Sequence, residues 1–171
     1  MVPQNIQNKM DLQELLTQKV FKSNHLDFVT HRQIHHWKEI GLIDEHRAYA
    51  ASGMKNSFNF YEVVWIKVIV EMRSFHISNT LIKKVKNLFF DLNDTDGRIT
   101  AVAEKMIQEV IIEKKIKFLM VDEKQQVTTL DKNAYLQQID TGITTSHFCL
   151  QMDIVISKMW DLFTNEIHTN E

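Results

Sequence analysis

One proline and four glycines in 171 residues leave this chain few places to turn sharply. Glycine supplies the positive-φ positions of tight turns, and proline presets the φ of others. Turn-rich β architectures use many of both, so a chain this poor in them favours helices. The length suits one ordinary domain or two small ones. An apolar content of 44% with 25% charged residues is ordinary for a soluble globular protein. The single Cys149 excludes an intramolecular disulfide and fits a reducing compartment. No stretch approaches the roughly 20 apolar residues that span a bilayer. The opening "MVPQNIQNKMDLQELL" lacks the charged-then-apolar order of a signal peptide, so the expectation is a cytoplasmic chain with no membrane contact.

The net charge of −2 conceals an asymmetry. Residues 1–90 carry 12 Lys and Arg against 8 Asp and Glu, a balance of +4. Residues 91–171 carry 8 against 14, a balance of −6, and six of the eight histidines lie in the first part. This division suggests two modules, the first suited to an acidic partner such as DNA.

Leu12, Leu15, Leu16 and Val20 recur at helical spacing and predict a helix over 11–22. The next segment, "VTHRQIHHWKEIGLID" (29–44), concentrates three histidines, an arginine and a tryptophan. Thr30 and Gln33 have capping-box spacing, in which each side chain satisfies a free backbone N–H. Gly41 stands where a left-handed residue ends a helix. The helix then covers about 31–40, with Ile34, Trp37 and Ile40 on its packed face. Arg32, His35 and Glu39 occupy the opposite face, flanked by His31 and His36. Residues 44–58 are polar and aperiodic, and read as a loop or small hairpin. Asn59 and Glu62 form a second capping box, and "FYEVVWIKVIVEMR" is apolar on most sides, as a buried helix would be. After the break "SFHI", Ser78 caps an amphipathic helix with Leu81, Ile82, Val85, Leu88 and Phe89 inward and Lys83, Lys84 and Lys86 in water.

The acidic, turn-forming "DLNDTDGR" (91–98) marks a boundary where the charge balance reverses. Beyond it, residues 101–115 read as a helix. "IKFLMV" and "VTTL" read as strands joined by "DEKQQ", and "HFCLQMDIVI" as a third strand leading to a closing segment around "SKMWDLF".

Helix, tight stop, polar hairpin, buried helix and capped helix together make a winged helix-turn-helix. The segment resembles the MerR-type transcriptional regulators, whose hallmark is a Val-Ser-x-Arg-Thr-Leu-Arg-Tyr-Tyr-like helix closed by Ile-Gly-Leu. Here it stands as Val29-Thr30-His31-Arg32-Gln33-Ile34-His35-His36-Trp37, then Ile40-Gly41-Leu42-Ile43. The family's Arg-x-x-Gly-x-Ser turn is matched by Arg73-Ser74-Phe75-His76-Ile77-Ser78, with His76 in the glycine's place. The paired tyrosines are His36 and Trp37, and the wing's Arg-x-Tyr is Asn56-Ser57-Phe58. The resemblance covers roughly residues 26–90. Taken with the helix and strand pattern beyond residue 98, the whole chain reads as mainly α with a small α/β C-terminal part. The winged helix-turn-helix spans 1–90, a linker 91–98, and a small helix-plus-short-sheet module for assembly or effector binding 99–171.

The resemblance further implies sequence-specific binding to double-stranded DNA by a homodimer on a palindromic operator, with RNA polymerase as a further partner. In a helix-turn-helix the start of the recognition helix reaches base edges. Arg32 would then hold guanine O6 and N7, worth about 1–3 kcal/mol of discrimination. His31, His35 and His36 would lie against bases or phosphates, and Thr30 would donate to a phosphate. On the wing, Arg47, Lys55 and Asn56 would grip the backbone.

Other readings compete for the same residues. His31 and His35 at i, i+4 have a spacing that binds transition metals, yet no cysteine is near and Glu39 alone offers a third ligand. Trp37 and Trp65 share faces with core residues. Cys149 in a strand reads as a small buried hydrophobe rather than a sensor thiol. "DLNDTDGRIT" lacks the Glu that closes a calcium loop. Phosphate loop, HExxH, nucleophile elbow and CxxC are all missing, so no enzymatic activity and no cofactor are expected. The alternative function is a winged-helix protein-interaction module without DNA binding.

Overall fold

The computed structural model describes residues 9–44, 57–90, 99–142 and 146–169. The described chain is mainly helical, with a small sheet toward the C-terminus. In order it forms α1 (Lys9–Thr17), β1 (Phe21–Lys22), a 3-10 turn (Ser23–His25), α2 (His31–Glu39), β2 (Ser57–Phe58), α3 (Phe60–Ser74) and α4 (Asn79–Phe89). It continues through α5 (Ala101–Glu113), β3 (Lys117–Asp122), β4 (Val127–Asp131), α6 (Lys132–Asp140), β5 (His147–Gln151) and α7 (Met152–Thr169).

The first helix stops at Thr17 instead of continuing to residue 22 as the leucine spacing suggested. Phe21 is fully buried, pairs with Phe58 across an antiparallel β1–β2 ladder, and lays its ring 5.6 Å from that of Phe163. An extended backbone at residue 21 aims that ring into the core, so pairing with a distant strand overrides helical spacing.

The helix α3 is the hub, as its all-round apolar sequence requires. Nine of its residues are buried. Its start is fixed by a complete capping box: Asn59 N–H donates to Glu62 Oε2 at 2.7 Å, and Glu62 N–H to Asn59 Oδ1 at 2.9 Å. His76 takes the left-handed conformation (φ 58°) that lets the chain reverse, and Ser78 caps α4.

The three-stranded sheet has the order β4-β3-β5, antiparallel throughout. Leu119 and Val121 project from β3 into the core. On the other face, the ring of Phe118 stacks at 4.5 Å on Tyr135 of α6. The helix α6, begun by Asp131 accepting from Ala134 N–H at 2.9 Å, is an element the sequence reading did not contain.

The stretch "HFCLQMDIVI" is half strand and half helix, which corrects its reading as one strand. Met152, Val155, Ile156, Met159, Trp160 and Phe163 are buried at helical spacing. That stripe puts α7 against α3, where the ring of Phe60 lies 5.8 Å from Trp160 and 5.4 Å from Phe163. One continuous core therefore runs from Leu12 to Phe163. The expected linker 91–98 lies outside the described residues. Its flanks are joined by a Phe90–Ile99 bridge and by Thr100, whose hydroxyl donates to the Leu88 carbonyl.

Candidate nucleic-acid interface

The residues expected to touch DNA centre on α2, whose faces separate cleanly. Thr30 is its N-cap: Gln33 N–H donates to Thr30 Oγ1 at 3.2 Å, and Thr30 N–H to Gln33 Oε1 at 2.9 Å. The Thr30 hydroxyl donates to the same Gln33 oxygen at 2.9 Å. Its one proton is thus engaged within the cap, and the phosphate contact expected of Thr30 would need that bond to break. Ile34 and Trp37 are buried, followed by Leu42 and Ile43. His31, Arg32, Gln33, His35, His36 and Glu39 are exposed.

The far end of α2 closes on Gly41 in the left-handed region (φ 74°), where the Leu42 N–H returns to the Trp37 carbonyl at 2.8 Å. Trp65 is core, as its spacing indicated, and its indole N–H donates to the Leu42 carbonyl at 2.8 Å. That satisfies a buried indole and ties α2 to α3.

Arg32 makes no ion pair among the described residues, so its guanidinium is available to a ligand. Glu39 interrupts the cationic character of this face. Its carboxylate lies 3.3 Å from His35 Nδ1 and 3.8 Å from His36 Nδ1. Among the described residues, no group of three or more His, Cys, Asp or Glu gathers as a metal site would need. Arg47, Lys55 and Asn56 lie outside the described residues. Of the expected hairpin, Ser57–Phe58 is described, and it pairs with β1. Between α1 and Val29, where a helix-turn-helix carries its first helix directly before the second, stand β1 and the 3-10 turn at Ser23–His25.

One functional position was misread from sequence. Lys86, expected in water beside Lys83 and Lys84, is 5% exposed. Its ammonium donates to the Gly41 carbonyl at 3.1 Å and to Asp44 Oδ1 at 2.5 Å. Its position, four after Ile82 and three before Phe89, places it on the apolar stripe, which is the signal that marks it as buried.

A second polar group sits between α6 and the sheet. Tyr135 Oη lies 3.0 Å from His147 Nε2 and also hydrogen-bonds Cys149. Burial pushes the Cys149 thiol up, with the Tyr135 hydrogen bond opposing in part. Cys149 is half-buried, less enclosed than expected. A thiol held protonated lacks the thiolate that nucleophilic or sensor chemistry requires.

Comparison with known proteins gives no matching family model, no matching curated protein and no matching solved structure. Among the described residues, no helix is long and apolar enough to cross a membrane.

Proposed function

We propose that this chain is a sequence-specific DNA-binding transcriptional regulator of MerR type, a winged helix-turn-helix in which α2 enters the major groove. One observation carries the reading: α2 buries Ile34 and Trp37 while presenting His31, Arg32, His35 and His36 together, with the Arg32 guanidinium unpaired among the described residues. A helix docked by its apolar side, its donors facing out from the N-terminal half, has the geometry that reads base edges. The left-handed His76 stands where MerR-type chains carry glycine, which adds support. A homodimer on double-stranded DNA, with RNA polymerase as a further partner, belongs to the same reading. So do a cytoplasmic location and the absence of enzymatic activity.

Selection of binding sites from random duplex DNA tests it, with Arg32→Ala as control. The expected outcome is a defined consensus. At the position Arg32 reads, the variant loses about 1–3 kcal/mol of discrimination. An identical consensus for both proteins removes Arg32 from the interface.

Glu39 favours a second reading, a winged-helix module that binds protein instead of DNA. A carboxylate between His35 and His36 repels phosphate and suits a mixed-charge protein surface. The two readings separate on salt dependence. Phosphate neutralisation gives a linear fall of log affinity with log salt, whereas a protein partner leaves duplex DNA unbound.

A further inference from the structure

Lysine is almost never fully buried unless paired, and Lys86 is buried on the inner stripe of α4. Both of its partners belong to the five residues that follow α2. Its ammonium reaches the Gly41 carbonyl and the Asp44 carboxylate. A methionine would fill the same stripe without desolvating a charge. Buried ion pairs replaced by apolar residues are often neutral or stabilising, so net stability is a poor reason for a lysine here. A charged donor adds direction that an apolar contact cannot.

The attachments of α2 differ along its length. At the N-terminal end, the capping bonds of Thr30 and Gln33 are internal to the helix. The middle is held by Ile34 and Trp37 in apolar contact, which is non-directional. At the C-terminal end, two consecutive carbonyls are each taken by a side chain from another helix: Gly41 by Lys86 of α4, and Leu42 by Trp65 of α3. A cation at a helix C-terminus also complements the dipole.

We propose that Lys86 is a positioning residue for α2, a brace that sets the angle at which the outward face of the helix meets its ligand. Its consequence for DNA rests on the function proposed above; the bracing itself does not. The brace acts through Gly41 and Asp44, and Lys86 touches no nucleic acid.

The test compares wild type with Lys86→Met and Asp44→Asn in the full chain. Residual dipolar couplings of the α2 amides are read in the frame defined by α3, alongside thermal unfolding and binding to the wild-type-selected duplex. In both variants the α2 couplings should change while those of α3 hold, with the smaller change in Asp44→Asn, which keeps the Gly41 bond. Affinity should fall about tenfold or more, as for loss of one base contact, with the salt slope unchanged. Unchanged α2 couplings overturn the proposal, and so does a slope smaller by about one, which marks a phosphate contact. Should Lys86→Met fail to fold, Asp44→Asn decides alone, since its side chain is 44% exposed. If the wild type selects no DNA, that outcome counts against the DNA-binding reading, and the couplings still decide the brace.

Discussion

Tyr61 carries a hydroxyl that finds no hydrogen-bond partner among the described residues, although the residue is only 2% exposed. Burial, reinforced by the charge of Glu104, drives its phenol well above the ordinary tyrosine range. An unsatisfied buried hydroxyl costs about 1–3 kcal/mol, so Tyr61→Phe removes a penalty and leaves the ring in place. Its melting temperature should hold or rise, and a clear fall in differential scanning calorimetry would mean that the hydroxyl has a partner in solution. Lys86 shows the contrary case, a buried polar group held by two partners. Its sequence neighbours Lys83 and Lys84 have the same side chain and stand in water. Position on the helical stripe, not residue type, decides which lysine is enclosed.

The corner between α5 and β3 is closed by charge. Lys114, in the left-handed conformation (φ 55°), ends α5. Glu109 then receives Lys117 at 2.5 Å and Lys115 at 3.1 Å. The hydrogen bond from Lys117 is the largest influence holding the Glu109 carboxyl below the ordinary glutamate range. The folded carboxyl binds its proton less tightly than the unfolded one. Its contribution to stability is therefore complete above the unfolded value and is lost as pH falls through the lower, folded one. Melting temperature should decline as pH is lowered from about 4.5, and Glu109→Gln should flatten that part of the curve. An identical acid profile for both proteins would remove Glu109 from the closure.

The elements also divide by how much of their making is local. The capping boxes at Thr30 and Asn59 were visible as Thr-x-x-Gln and Asn-x-x-Glu, because each bond joins residues three apart. The strand β1 was not visible, because its partner Phe58 is 37 positions from Phe21 and its two residues leave no period to detect. The start of α7 was hidden because "MDIVI" satisfies strand and helix spacing alike, and the burial of Met159, Trp160 and Phe163 settles it.

Charge divides the chain near residue 90, but packing does not. The aromatic ring of Phe163 lies against Phe21 and Phe60, so the closing helix is part of the same core as the first strand. A single core unfolds as one unit. Thermal unfolding followed by tryptophan fluorescence and by far-ultraviolet circular dichroism should give coincident transitions, with calorimetric and van't Hoff enthalpies equal. Two separated transitions would show that residues 1–90 and 99–171 hold independently. The candidate interface benefits from the shared core, to which Ile34 and Trp37 of α2 belong. Trp65 of α3 holds the Leu42 carbonyl just past α2, and α7 packs against α3 from the opposite end of the chain.

Short-range features were present in the order of residues alone: the helical character imposed by scarce glycine and proline, the caps, the Gly41 stop, and the division of α2 into apolar and donor-bearing faces. Each depends on residues within a few positions of one another, where backbone geometry fixes who meets whom. The folded chain alone decided that Lys86 reaches Asp44, that Trp65 takes the Leu42 carbonyl, and that α7 completes the core around Phe60. These contacts join residues 23 to more than 100 positions apart. Spacing along a chain carries no information about such meetings, which are set by how the apolar faces of the helices exclude water together.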